Sequence, residues 1–347
     1  MNPVRVVLVG CGAASGGWIE PIRDMKDVEI VGFVDLVEEN ARKRADEYGT
    51  IGTLVTTDAT SAIDQLEPDA VFCCTTPESH YEVTMLALQK GCHVLEEKPL
   101  ADSMEHAREM VATADKVGRV FAVIQNRRYD PEIRRTRQVI AEGTLGDLTT
   151  LNSDFYIGAH FGGFRDHMEN VLLLDMAIHS FDQARLISGE DPVSVYCHEW
   201  NPADSWYDRD ASAVAIFEMT GGVVYTYRGS WCSEGLNTTW ECDWRAIGSR
   251  GSLRWDGAGD LRIEVVTGGE GFFRDKEMMD PPDLDPNARA GARGGLIREF
   301  IDCIYNGTVP ETVASDNIKS LAMVFGAIES AETGRRVDIT QQRGRTV

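Results

Sequence analysis

Residues 4–18 read VRVVLVGCGAASGGW, and this stretch decides the fold of the first part of the chain. Six residues dominated by valine and leucine make a short buried strand. The strand stops at Gly10-Cys11-Gly12, and a helix opens behind it. The run Gly10-Cys11-Gly12-Ala13-Ala14-Ser15 nearly matches G-x-G-x-x-G, the turn that brings backbone against a pyrophosphate. Gly10 permits the tight turn, Gly12 lets backbone approach the anion, and Gly12, Ala13, Ala14 and Ser15 offer unpaired helix-start N–H groups. The third position is Ser15, although Gly16 and Gly17 follow.

Moving outward, a second apolar run, Glu29–Val34, ends at Asp35, 23 residues after Gly12. An acid at the end of the second strand accepts the adenosine ribose hydroxyls and repels a 2′-phosphate. Leu36 supplies no compensating charge, and Arg42, Lys43 and Arg44 read as a solvated helix face. The expected cofactor is therefore NAD, with NADP disfavoured by Asp35. As a purely structural residue, Asp35 would cap the helix that begins in VEENARKR.

The same alternation continues to about residue 125. Apolar runs at Ala70–Cys74, Cys92–Leu95 and Val120–Ile124 alternate with the helix patterns SHYEVTMLALQKG and SMEHAREMVATADKVG. Strand and helix in alternation predict a parallel sheet covered on both faces, with Gly91 and Gly118 ending helices. From about residue 148 the texture changes to longer strand candidates: LTTLNSDFYIG, VSVYCHEW, ASAVAIFEM, VVYTYRGSW, TWECDWRAIG and SLRWDG. Turn signals between them predict a mostly antiparallel open sheet. Residues 267–290 carry Gly, Pro and charge without a period and read as a loop. Two helices close the chain, with stripes Leu296, Ile297, Phe300, Ile301, Ile304 and Ile318, Leu321, Val324, Phe325, Ile328. The fold class is α/β: a Rossmann dinucleotide-binding domain over residues 1–125, then an α+β domain over 126–347 for substrate binding and oligomerisation.

The chain has 347 residues, 43% hydrophobic and 26% charged, with a formal net charge of −22. That charge argues against nucleic acid or an anionic membrane as the main partner. Eight cysteines include no C-x-x-C pair and read as reduced core thiols. The start MNPVRVVLVGCG has no long apolar signal region, and no apolar run approaches 18 residues, so the expected location is cytoplasmic. Six of the seven tryptophans fall between residues 200 and 255. They read mainly as packing or subunit interface, with Trp206 the best candidate for substrate contact.

With the Gly-rich start, the segments TTPESHY (75–81), EEKPLA (96–101), QNRRYDP (125–131) and the pair Asp175-x-x-x-His179 occur in order. In this combination the chain resembles the glucose–fructose oxidoreductase / inositol dehydrogenase / rhizopine-catabolism (Gfo/Idh/MocA) oxidoreductases. The resemblance implies a Rossmann domain followed by an open-sheet domain with substrate on one side and an oligomer interface on the other. It implies Lys98 as the active-site lysine, Asp175 as a substrate-facing acid and His179 as the acid/base. Thr75, Thr76, Pro77 and His80 fall in a loop near the cofactor, and Glu97 is the acid at the nicotinamide end. Arg165 falls where an arginine lines the sugar pocket, and Arg128, in the QNRRYDP segment, joins the substrate set. One departure stands out. Glu169-Asn170-Val171 occupies a place where glycines are common, so the pocket entrance is narrowed or reshaped.

Residues four apart share a helical face, so Asp175 and His179 project together, with Asp182 three further on. Oxidising an alcohol needs a hydride acceptor and a base that titrates near neutrality, a role imidazole fills. Lys98 would stabilise the developing alkoxide and contact the nicotinamide ribose. Asp175 would orient a substrate hydroxyl or Lys98. His160 and His167 are loop residues whose spacing with His179 matches no standard metal site. His160 reads as a substrate hydrogen-bonding or surface residue, and no metal is expected. The leading expectation is an NAD-dependent dehydrogenase of a sugar, sugar acid or cyclitol, forming a homodimer or homotetramer through the C-terminal sheet. Two rivals stay open: an NAD-dependent glycoside hydrolase or lyase working by transient oxidation, and a non-enzymatic nucleotide-binding sensor.

Overall fold

The computed structural model describes residues 2–341. The chain separates into two compact units, the first holding residues up to Tyr129 together with Gly291–Leu321, the second holding Asp130–Ala290 and the chain from Ala322.

The first unit is built on a parallel sheet of β1 (Val4–Val9), β2 (Val28–Val34), β3 (Leu54–Thr56), β4 (Ala70–Cys73), β5 (His93–Glu96) and β6 (Phe121–Val123), in the order β3-β2-β1-β4-β5-β6. This is the doubly wound dinucleotide-binding order, with its switch point between β1 and β4. The sheet reads as unbroken apolar runs because helices cover both faces; β4, AVFC, is buried at every position. The covering helices are α1 (Gly16–Ile19), α2 (Glu38–Tyr48), α3 (Ala59–Leu66), α4 (Pro77–Gln89) and α5 (Met104–Val117). Caps place their ends. The Asp58 side chain accepts from the Thr60 and Ser61 N–H groups, Ser103 accepts from His106 N–H, and Gly118 ends α5 at φ 66°. Strand β3 and helix α3 escape the sequence reading: three half-buried residues and one short helix carry too little periodicity.

The second unit carries α6 (Pro131–Ala141), α7 (Ile178–Ser188) and a nine-stranded sheet. Its strands are β7 (Leu148–Tyr156), β8 (Pro192–Trp200), β9 (Ser212–Met219), β10 (Val224–Ser230), β11 (Asp243–Gly248), β12 (Gly251–Trp255), β13 (Leu261–Gly268), β14 (Asp275–Met279) and β15 (Val337–Asp338). The order is β14-β13-β12-β11-β7-β10-β9-β8-β15, antiparallel at every junction except β10 with β7. Alternation along the strands sorts the tryptophans. Trp231, Trp244 and Trp255 are buried, Trp206 is half-buried, and Trp200 and Trp240 are exposed. Within 267–290 the expected loop contains β14, paired to β13. All five β14 residues are exposed, so no apolar alternation marks it as a strand.

Helix α8 (Ala292–Asn306) buries the expected stripe Leu296, Ile297, Phe300 and Ile301 against Trp18, Phe33 and Phe72. It therefore packs in the first unit, although its position in the chain assigns it to residues 126–347. Periodicity says that a helix buries one face and is silent about which sheet receives it. Helix α9 (Ala314–Thr333) follows. No helix among the described residues is long and apolar enough to cross a membrane. All eight cysteines are free and seven are buried. Burial pushes the Cys11 thiol up to about 12 and Cys92 up to about 11, so neither is a reactive thiolate.

Candidate functional site

The phosphate loop leaves β1 at the switch point. Gly10 has φ +91°, and a Cβ there would lie 2.6 Å from the Cys74 carbonyl carbon and oxygen, so only glycine fits. At Gly12 the direction of a Cβ is open, with no heavy atom within 4 Å. That is space a bound pyrophosphate can take. Gly12, Ala13 and Ala14 are exposed and Ser15 is buried. The helix behind the loop is short: a 3-10 turn at Ala13–Ser15, then α1, then a second 3-10 turn that begins with Glu20-Pro21. The anion site is thus a backbone turn rather than the end of a long helix dipole.

Asp35 sits just past the end of β2. Its Oδ2 accepts from Cys11 N–H at 2.8 Å; its Oδ1 accepts from Val37 N–H at 2.8 Å and from the Asn40 amide at 3.2 Å. The carboxylate ties the phosphate loop to Val37 and Asn40 at the start of α2, but the N-cap of α2 is Val37 and carries no side-chain cap bond, so Asp35 is not the helix cap. Leu36 is 90% exposed and Val37 is exposed beside it. An apolar surface next to a carboxylate suits the adenine end of a dinucleotide. A carboxylate beside the loop, a turn with open backbone and an apolar shelf fit NAD; Thr75 and Pro77 (half-buried) and Thr76 (exposed) lie just past β4, on the other side of the switch point.

The E-K-P segment follows β5. The Glu97 carboxylate is held on three sides. The Trp18 indole donates to Oε1 at 3.0 Å, Arg293 Nη2 lies 3.6 Å from the same oxygen, and Lys98 N–H donates to Oε2 at 2.9 Å. Lys98 is half-buried and its peptide bond to Pro99 is cis. His80 corrects one expectation. It is fully buried, with Nδ1 2.9 Å from the Pro99 carbonyl and Nε2 3.2 Å from the Thr75 carbonyl. Burial lowers its pKa, so the neutral ring donates its single N–H to one of these carbonyls, and His80 braces the two loops from a fully buried position. Beneath it Glu96 is fully buried, accepts from the Thr84 hydroxyl and is pushed well above the ordinary carboxylate range by burial. Arg128 is 5% exposed and lies 3.7 Å from both Glu311 and Asp316. Its charge is committed inside the first unit, which removes it from the substrate set.

In the second unit, Asp175 and His179 lie on one continuous helical segment. Residues Leu172–Ala177 form a π-helix, with Ile178 N–H bonded to the Leu173 carbonyl, and α7 continues from there. Single π-turns concentrate at functional sites because they re-aim side chains. Asp175 is in the π-turn and His179 in the first turn of α7; His179 is 9% exposed. Arg165 grips Asp175 through two bonds, Nε to Oδ2 at 2.9 Å and Nη2 to Oδ1 at 3.4 Å. The same guanidinium lies 5.0 Å from the Phe161 ring and 4.7 Å from the Phe164 ring. The pair offsets the charge of Asp175, which sequence spacing alone leaves bare. Asp182 is 1% exposed and 3.9 Å from Arg185, which also pairs with Asp191 at 3.1 Å. It is a core ion pair, not a substrate group.

His160 stacks on Trp206 with ring centroids 3.8 Å apart, and its Nε2 is 3.0 Å from Glu234. Trp206 donates to the Ala159 carbonyl at 3.0 Å. His167 is exposed beside Asp208, which raises its pKa. No group of three or more His, Cys, Asp or Glu side chains among the described residues could hold a metal ion. Before the helix, Asn170 takes φ +48°, a conformation glycine would adopt freely, and its amide donates to buried Glu199 at 2.8 Å. The departure from glycine is thus accommodated by the residue type most tolerant of the left-handed region. Burial raises the Glu199 carboxyl to about 7.

Sequence reading missed Trp18, Arg44, Arg293 and Glu199. The pair Gly16-Gly17 held a partial signal. A Cβ on Gly16 would meet the Arg44 guanidinium at 3.6 Å, and one on Gly17 would meet Arg293 at 2.2 Å. The two glycines seat two arginines.

Comparison with known proteins follows the same division. Residues 4–125 match the family model described as an oxidoreductase family with an NAD-binding Rossmann fold, and residues 133–254 match the GFO/IDH/MocA C-terminal domain. A D-apiose dehydrogenase of Paraburkholderia graminis is 27% identical over 96% of this chain and 88% of its own length. An inositol 2-dehydrogenase of Rhizobium meliloti is 26% identical over 97% of this chain and 99% of its own. Among solved structures, an oxidoreductase from Agrobacterium radiobacter in complex with NAD+, L-tartaric acid and magnesium superposes with TM-score 0.85 over 98% of this chain and 99% of that one, at 22% identity.

Proposed function

The chain belongs to the GFO/IDH/MocA oxidoreductases and carries their NAD-binding Rossmann domain, and from that premise we propose that it is a dehydrogenase of a polyhydroxylated small molecule: a sugar, sugar acid or cyclitol. The observation that carries the substrate class is the polar and aromatic setting of the Asp175–His179 helix. A guanidinium stacked on phenyl rings, a carboxylate and an imidazole suit several hydroxyls better than an apolar substrate. Relatives named for D-apiose and inositol point the same way.

NAD, when bound, accepts the hydride. Gly10, Gly12, Ala13, Ala14 and Ser15 hold its pyrophosphate, Asp35 its adenosine ribose, and Thr75, Thr76, Pro77 and Glu97 line the path to the nicotinamide end. His179 takes the hydroxyl proton as general base and returns it in the reverse direction. Lys98 contributes fixed positive charge that stabilises the developing alkoxide. Asp175 and Arg165 act as a unit, each orienting the other toward substrate hydroxyls, and His160 with Trp206 offers a further polar and stacking contact.

The outer face of the second unit's sheet supports a homodimer or homotetramer. Tyr196, Ile216 and Val224 are exposed on adjacent strands, Tyr196 opposite Ile216, beside exposed Trp200. Such an apolar patch on a long sheet calls for a cover. The function is tested by incubating the protein with NAD and a panel of polyols, aldoses and aldonic acids while following NADH. Stoichiometric NADH with at least one member is expected. Bond cleavage without NADH accumulation, or NAD binding with no turnover across the panel, would overturn the proposal.

A further inference from the structure

Arg44 belongs to α2, but its side chain is only 13% exposed and crosses to the phosphate loop. Nε donates to the Ser15 hydroxyl at 2.9 Å and Nη2 to the Gly12 carbonyl at 3.1 Å, while Nη1 pairs with Glu47 at 2.6 Å. The expected solvated helix face is therefore corrected at this position. The Ser15 hydroxyl donates to the Gly12 carbonyl at 2.7 Å, and Ser15 N–H reaches the same oxygen at 3.2 Å. One hydroxyl thus receives from Arg44 and gives to Gly12, using both of its capacities.

We propose that Arg44 is a positioning residue for the dinucleotide: with Ser15 it pins the Gly12 carbonyl inward, aims the loop N–H groups at the pyrophosphate, and adds positive charge beneath it. In a trans peptide the carbonyl and the following N–H point opposite ways. Holding the Gly12 oxygen against Ser15 and Arg44 turns the Ala13 N–H outward, toward the side where Gly12 leaves open space. Three donors on one carbonyl make that orientation a fixed feature of the loop. Ser15 and Arg44 together thereby replace the third glycine of the fingerprint. That glycine lets helix and strand pack closely; this chain instead fills the place with a hydrogen-bonded hydroxyl and seats a guanidinium against Gly16. The inference rests on the NAD reading and goes beyond it in naming a residue that sets pyrophosphate affinity.

The test is binding without turnover. NADH affinity is measured by its fluorescence, and ADP and adenosine by displacement, for wild type, Arg44→Met and Arg44→Lys. Thermal melts of the same samples check folding. Arg44→Met is expected to weaken NADH and ADP by about tenfold or more, the size of a lost charge-assisted bond, and to leave adenosine within about twofold. Arg44→Lys, which keeps charge and loses the fork, is expected to fall between. Unchanged ADP affinity in Arg44→Met would overturn the proposal. Equal losses for ADP and adenosine would also overturn it, since the residue would then only hold the fold. Wild-type protein that binds neither NADH nor ADP would remove the dinucleotide reading itself, which separates the two failures.

Discussion

The phosphate loop of the first unit and the Asp175–His179 helix of the second are built on different principles. The loop is a backbone device. Its working groups are N–H donors, its critical residues are glycines, and Asp35 and Arg44 brace it from outside through the Cys11 N–H, the Ser15 hydroxyl and the Gly12 carbonyl. The helix is a side-chain device. Its acid is in a π-turn, its charge is offset by Arg165 ten residues earlier, and its start depends on Asn170 bonding to Glu199 on a separate strand. A backbone site is most sensitive to atoms added where its turn is tightest, as at Gly10. A side-chain site tolerates added atoms but depends on each of its polar partners.

The sharpest way to break this comparison is at Gly10. Gly10→Val places a branched side chain at φ +91° against the Cys74 backbone. The strain costs at least about 3 kcal/mol, and NADH affinity is expected to fall about a hundredfold or more. Fluorescence titration and a thermal melt measure both. Unchanged binding would mean that the loop adapts and is not a fixed backbone cradle.

At Arg165 the comparison predicts a different pattern. Arg165→Leu keeps an apolar side chain between Phe161 and Phe164 but leaves Asp175 without its two charge-assisted bonds. Substrate kcat/KM should fall about ten- to a hundredfold, with NADH affinity unchanged. Loss of NADH affinity, or no change in kcat/KM, would contradict the separation of roles.

The smallest expected effect is a pH effect on stability at Glu199. Burial raises its carboxyl from 4.5 to about 7, so the folded state binds the proton more tightly than the unfolded chain. Stability is therefore lost as pH rises from about 4.5 to about 7 and is level above it. Glu199→Gln removes that dependence. Melts at pH 5 and pH 8 should show the variant gaining about 1–3 kcal/mol on wild type at the higher pH. An equal difference at both pH values would show that Glu199 carries no such shift.

Much of this was legible in the sequence, and the exceptions share a cause. The Rossmann strands, Asp35, the E-K-P turn and the D-x-x-x-H spacing are local patterns, and local patterns survive translation into residues. Sequence position cannot show that the His80 ring is buried between the Pro99 and Thr75 carbonyls, or that Arg128 is buried against Glu311 and Asp316. Helix α8 announced its apolar stripe but not its destination in the first unit. Arg44 looked like one charge in a solvated row, because nothing in EENARKR says that one arginine turns inward to Gly12. The π-turn has no sequence signature at all: an apolar run with one acid is equally compatible with an uninterrupted α-helix.

The most direct measurement pairs catalysis with cofactor binding in Lys98→Met and His179→Asn, assayed with whichever panel substrate the wild type oxidises best. Both variants should bind NADH within about threefold of wild type and lose turnover by about a thousandfold or more. Either variant turning over at the wild-type rate would contradict the assignment of the acid/base and the alkoxide-stabilising charge to these two side chains.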